Sequence, residues 1–107
     1  MTGRIVVLCT VGSSEEAQRI ASAVVERRLV ACVNVVPGVV SIYRWKGEIH
    51  RDGEWLLLMK TTAARFEALR EALVELHPYE VPEIIELPIE RGHAPYLDWI
   101  DASVADS

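Results

Sequence analysis

Apolar residues fall into blocks along this chain, and the spacing inside each block predicts an element. Ile5-Val6-Val7-Leu8-Cys9 is continuous and apolar, as in a strand covered on both faces. Ser13 and Glu16 follow with capping-box spacing: the hydroxyl satisfies a free N–H of the first turn and the carboxylate reaches back. Ala17, Ile20, Ala21, Val24 and Val25 then repeat at helical spacing, with Glu15, Gln18, Arg19, Glu26 and Arg27 on the wet side. This helix ends near Arg27-Arg28, where cations suit the negative end of its dipole.

Residues 30–45 read as one long strand bent at Pro37-Gly38, since proline inside such a run is tolerated at an edge or a bulge. Lys46-Gly47-Glu48 is a turn, 49–53 is too polar for a central strand, and Trp55 to Thr61 is the third strand. Segments 41–45 and 54–61 are expected to pair as a hairpin whose tip projects beyond the core. Thr62 is a suitable N-cap for a second helix that turns Phe66, Leu69, Leu73 and Leu76 inward. His77-Pro78 stops it, because a residue before proline is pushed out of the helical region. Val81 to Ile89 reads as a fourth strand framed by prolines. Gly92-His93-Ala94-Pro95 opens a short C-terminal helix docked by Tyr96, Leu97, Trp99 and Ile100.

The order β-α-β-β-α-β plus a terminal helix predicts an α+β, ferredoxin-like sandwich. Its four-stranded antiparallel sheet has strands one and three at the centre and helices on one face. That fold carries many unrelated activities and names none.

Composition narrows the choice. A length of 107 residues predicts a single domain over 1–107. Eleven Lys and Arg against 16 Asp and Glu give a net charge of −5, which argues against a nucleic-acid binder. The predicted central strands also lack the aromatics on which bases stack. No apolar run approaches the roughly 20 residues that cross a bilayer, so no membrane partner is expected. The N-terminal Met1-Thr2-Gly3-Arg4 has no signal-peptide layout. Cys9 and Cys32 form neither a disulfide framework nor a CxxC pair, so free thiols in a cytoplasmic protein are expected. Hydrophobic residues make up 50% of the chain, high for so small a domain, and the surplus predicts an oligomer.

Candidate chemistry is sparse. There is no phosphate-binding glycine loop and no spacing that points to a nucleophile, so the chain is read as a non-enzyme. The turn Thr10 to Ser14 opens a helix and could cradle an anion, though Ser13 is sufficiently explained as its cap. A hydrolase built on that turn would lack an arginine to support phosphate chemistry. Cys9, at the end of a central strand, is either a small buried hydrophobe or a soft ligand. His77, at the end of the second helix, either bonds a last carbonyl or ligates. A thiolate and an imidazole together suit copper or zinc better than magnesium, but two ligands do not close a structural site. His50 falls on the polar hairpin tip and His93 starts the last helix.

Four stretches then follow in order: Ala31-Cys32-Val33-Asn34-Val35-Val36-Pro37-Gly38, Ser41-Ile42-Tyr43-Arg44-Trp45-Lys46-Gly47, Lys60-Thr61-Thr62 and His77-Pro78-Tyr79-Glu80-Val81-Pro82-Glu83. From about Ile5 to Ala102 the chain resembles the CutA family of divalent-cation tolerance proteins. The resemblance implies a homotrimer of ferredoxin-like subunits with long β-hairpins paired across subunits, similar in architecture to the PII signalling proteins. It also implies a response to divalent metal ions and copper binding. Cys9 and His77 match the family's metal-ligand positions, whereas Leu76 stands where some relatives have a second histidine. The alternative function is a PII-like trimeric sensor or scaffold that takes a small metabolite or partner protein in intersubunit clefts. Trp45, Lys60, Tyr79 and Glu83 are its candidate residues.

Overall fold

Strand β1 runs from Arg4 to Val11, and every second side chain of it (Ile5, Val7, Cys9, Val11) is buried. The structure, a computed structural model, describes residues 2–105. Helix α1 (Ser14–Glu26) buries Ala17, Ile20 and Val24 against that face. Ser13 caps it, its Oγ accepting from the Glu16 N–H at 3.1 Å. Only this half of the box forms as anticipated: the Glu16 carboxylate turns to Arg19, 2.6 Å away.

Strand β2 spans Cys32–Trp45 without interruption. Pro37 and Gly38 together face Trp55 alone, a β-bulge, and Gly38 adopts the left-handed φ of 78° that the bend requires. Strand β3 (Glu48–Thr62) is longer than the predicted 55–61. Segment 41–45 pairs with 48–52, while 56–60 pairs with 32–36, so the polar stretch 49–53 is strand after all. It can be, because this part of the hairpin extends past the core and both its faces are available to polar side chains. Lys46 (φ 50°) and Gly47 (φ 81°) form the two-residue turn, both in the left-handed conformation that matches strand twist. The projecting hairpin draws the chain out to 44 × 26 × 22 Å.

A 3₁₀ turn (Ala63–Arg65) precedes helix α2 (Phe66–Leu76), and Thr62 makes no side-chain cap hydrogen bond, contrary to the expectation. Strand β4 is only Ile85–Pro88, not 81–89. Pro82 has no N–H to offer, and the Thr10 carbonyl beyond the last β1–β4 pair is taken by the His77 ring. Helix α3 spans Ala94–Val104.

The antiparallel sheet has the order β2-β3-β1-β4, with β1 and β3 central as predicted. Leu69 and Leu73 of α2 join α1 over the face carrying Leu57 and Met59. Helices α1 and α2 thus share one face, as expected, whereas α3, for which the sequence predicted no face, lies elsewhere. Arg4 alternates with core-facing Ile5, and its guanidinium bonds Asp101 at 2.6 Å, which puts α3 on the opposite face. Among the described residues no helix is long and apolar enough to cross a membrane.

Candidate functional site

The end of β1 and the segment after α2 meet at one backbone carbonyl. His77, the C-cap of α2, brings Nε2 to within 2.7 Å of the Thr10 carbonyl oxygen. Cys9 Sγ lies 4.0 Å from the same oxygen. The sequence neighbour of Thr10 and a residue 67 positions away thus converge on one acceptor.

These contacts fix the protonation of His77. The Tyr79 backbone N–H donates to Nδ1 at 3.1 Å, so Nδ1 must hold a lone pair. A carbonyl only accepts, so Nε2 carries the proton. The ring is therefore neutral, 7% exposed, and engaged at both nitrogens. Cys9 is fully buried, and burial pushes its thiol up to about 12, with the charges of Glu83 and Glu54 adding to the effect. Both predicted residues approach the Thr10 carbonyl, Cys9 as a protonated thiol and His77 as an imidazole with both nitrogens engaged. Among the described residues no three His, Cys, Asp or Glu side chains converge as a metal site.

Tyr79 extends the network. Its hydroxyl donates to Glu54 Oε2 at 2.7 Å, and burial followed by that carboxylate raises its phenol well above the ordinary range. Gly12 lets the ring approach: a Cβ there would stand 3.1 Å from Tyr79 Oη. Glu54 is 7% exposed and was not among the sequence candidates. Its one sequence signal is a carboxylate directly before the apolar run from Trp55 to Met59.

Beside this network lies a cleft of about 550 Å³ whose lining includes Thr10, Trp45, Glu54, Tyr79 and Glu83. Three of the four residues singled out for ligand binding thus share a wall. Lys60 does not join them; its ammonium bonds Asn34 and lies 4.0 Å from Cys32 Sγ. His50 is part of β3 and stacks on Tyr43 at 5.4 Å, while His93 makes no side-chain cap for α3. Glu15 and Glu16 occupy the first turn of α1 together with the Ser13 cap, an arrangement that repels rather than cradles an anion.

The family model of the CutA1 divalent ion tolerance protein matches residues 5–103. The chain is 59% identical over 95 residues to a divalent-cation tolerance protein CutA of Thermus thermophilus, covering 89% of this chain and 92% of that one. A solved structure of a divalent cation tolerance protein from Thermus thermophilus superposes with a TM-score of 0.93 at 55% identity, over 95% of this chain and 99% of that chain. A structure described as the periplasmic divalent cation tolerance protein CutA of Archaeoglobus fulgidus gives 0.92 at 38%, over 95% and 99%. Against the mouse protein CutA, 50% identical, the match takes in 85% of this chain and about half (51%) of the relative. With a relative called chloroplastic in rice, these names do not agree on a compartment. By family model, close relatives and fold alike, the chain belongs to the CutA1 divalent ion tolerance protein family.

Proposed function

We propose that this chain serves divalent-cation tolerance as a non-catalytic homotrimer, with copper as its ion and Cys9 and His77 as protein ligands. The observation that carries the reading is the meeting of a soft sulfur and an imidazole at the Thr10 carbonyl. Thiolate and imidazole favour copper over hard cations such as magnesium. Two donors leave room for water or a neighbouring chain to complete the shell.

The folded arrangement sets conditions on uptake. Cys9 must give up a proton, and one imidazole nitrogen must exchange its present hydrogen bond. Affinity therefore rises with pH as protons cease to compete. The trimer is supported by apolar side chains left in solvent on the hairpin, with Val40, Ile42 and Ile49 each about 60% exposed (59%, 59% and 62%). Edge strands β2 and β4 likewise offer unpaired backbone that assembly would cover. Two free thiols suit a reducing setting such as the cytoplasm.

Titration of copper against a competing chelator tests the site. One ion per chain is expected, with affinity falling more than about 10-fold in Cys9→Ser and in His77→Gln. Unchanged affinity in both variants would contradict the assignment.

A further inference from the structure

Carboxylates and aromatic rings together line the cleft beside Tyr79. Glu54, Glu80 and Glu83 supply the charge, while Tyr43, Trp45 and Tyr79 supply the rings. None of the described residues lining it is cationic. Glu83 makes no ion pair among the described residues, although its charge reaches the buried Cys9 thiol. The wall is thus strongly negative, lined by π-faces, and large enough at about 550 Å³ for a small organic ligand.

The protein already holds an ammonium at the rim. Lys46, in the hairpin turn, places Nζ 3.5 Å from Glu80 Oε2 and 5.6 Å from the centre of the Trp45 ring. Carboxylate on one side and indole face on the other is the environment in which cation–π attraction adds to charge. Lys46 is 70% exposed and held at the surface by the Glu80 and Trp45 contacts, so a competing ammonium can replace it. The carboxylates do not converge on a point, since no three of them form a metal site among the described residues. Carboxylates that do not converge, in a lining shared with aromatic rings, suit an elongated cation with methylene segments better than a single metal ion.

We propose that this cleft binds a linear aliphatic polyamine, whose ammonium groups meet Glu80 and Glu83 and whose chain lies against Trp45 and Tyr79. One ammonium takes the place of Lys46 Nζ. The site borders the Cys9–His77 network through Thr10 and Tyr79 but uses neither the Cys9 nor the His77 side chain as a contact.

Calorimetric titration of the native assembled protein with spermidine at low salt tests it, with butylamine, 1,4-butanediol and magnesium chloride at matched ionic strength alongside. Saturable spermidine binding is expected, about 10-fold weaker for butylamine and undetectable for the diol. Glu83→Gln should weaken spermidine binding about 5-fold. Lys46→Asn keeps a residue tolerant of the left-handed turn and should tighten binding about 3-fold, a gain that misfolding would not produce. Absence of saturable binding, an equal response to magnesium, or indifference to both substitutions would overturn the proposal.

Discussion

At the scale of single residues, Cys9 is held in a form that resists charging. The thiol sits near 12 because the core excludes water from a thiolate, while an unfolded chain releases the same proton near the ordinary cysteine value of about 9. The folded state therefore keeps a proton that the unfolded state loses. Stability is full below pH ~9 and declines as pH climbs towards 12, by at most about 1.4 kcal/mol per pH unit for this group. Urea midpoints at pH 8 and pH 10.5 should show that decline in the wild type and a shallower one in Cys9→Ala. Equal slopes would remove Cys9 from the explanation. Tyr79→Phe tests the neighbouring bond, since it takes the hydroxyl partner from buried Glu54. Tyr79 is 38% exposed, so the loss should fall at the low end for a bond to a charged group, about 1.5 kcal/mol by chemical denaturation. Cys9 and His77 were legible as candidates from residue type and position. Their closed state was not, because it depends on the Thr10 carbonyl and the Tyr79 N–H, backbone groups that every residue carries.

Among the elements, α1 shows how a local rule can be met by an unfavourable residue. The Arg28 N–H donates to the Val25 carbonyl and the Leu29 N–H to the Val24 carbonyl, both at 3.0 Å, closing the helix in a Schellman motif. The left-handed position that glycine normally fills is Arg28, with φ 57°. Arg28→Gly should raise stability by about 0.5–1 kcal/mol, the backbone strain relieved less the extra freedom of the unfolded chain. A loss on thermal melting would show that the Arg28 side chain contributes more than its backbone costs. The end of α1 was readable because its apolar stripe stops there. The start of β3 was not, because polar residues 49–53 belong to a hairpin arm without a core beneath it, where hydrophobic alternation has no cause. Strand β4 erred the other way: Val81 and Ile84 are apolar enough for a strand, but Pro82 between them interrupts the ladder.

For the whole molecule, the sheet order and the hairpin were accessible from the sequence of elements, whereas the placement of α3 was not. Its side rests on Arg4 reaching Asp101 from the far end of the chain, a contact that periodicity does not encode. The exposed apolar hairpin is the physical reason for the proposed assembly, as burying each Ile or Val side chain would contribute about 1.5–3 kcal/mol. Ile42→Asp combined with Ile49→Asp should yield a folded single chain of 12.0 kDa by sedimentation, against three times that mass for the wild type. A wild type already sedimenting as one chain would refute the trimer. The proposed metal site depends most on Cys9 as its sulfur donor, and protons report that directly. Calorimetry of copper binding near pH 7.5, repeated in buffers of different ionisation enthalpy, counts the protons released. With its thiol near 12, Cys9 should release about one full proton per ion bound in the wild type, and that proton should be missing from Cys9→Ser. Binding with no proton released, or with the same number in both proteins, would contradict it.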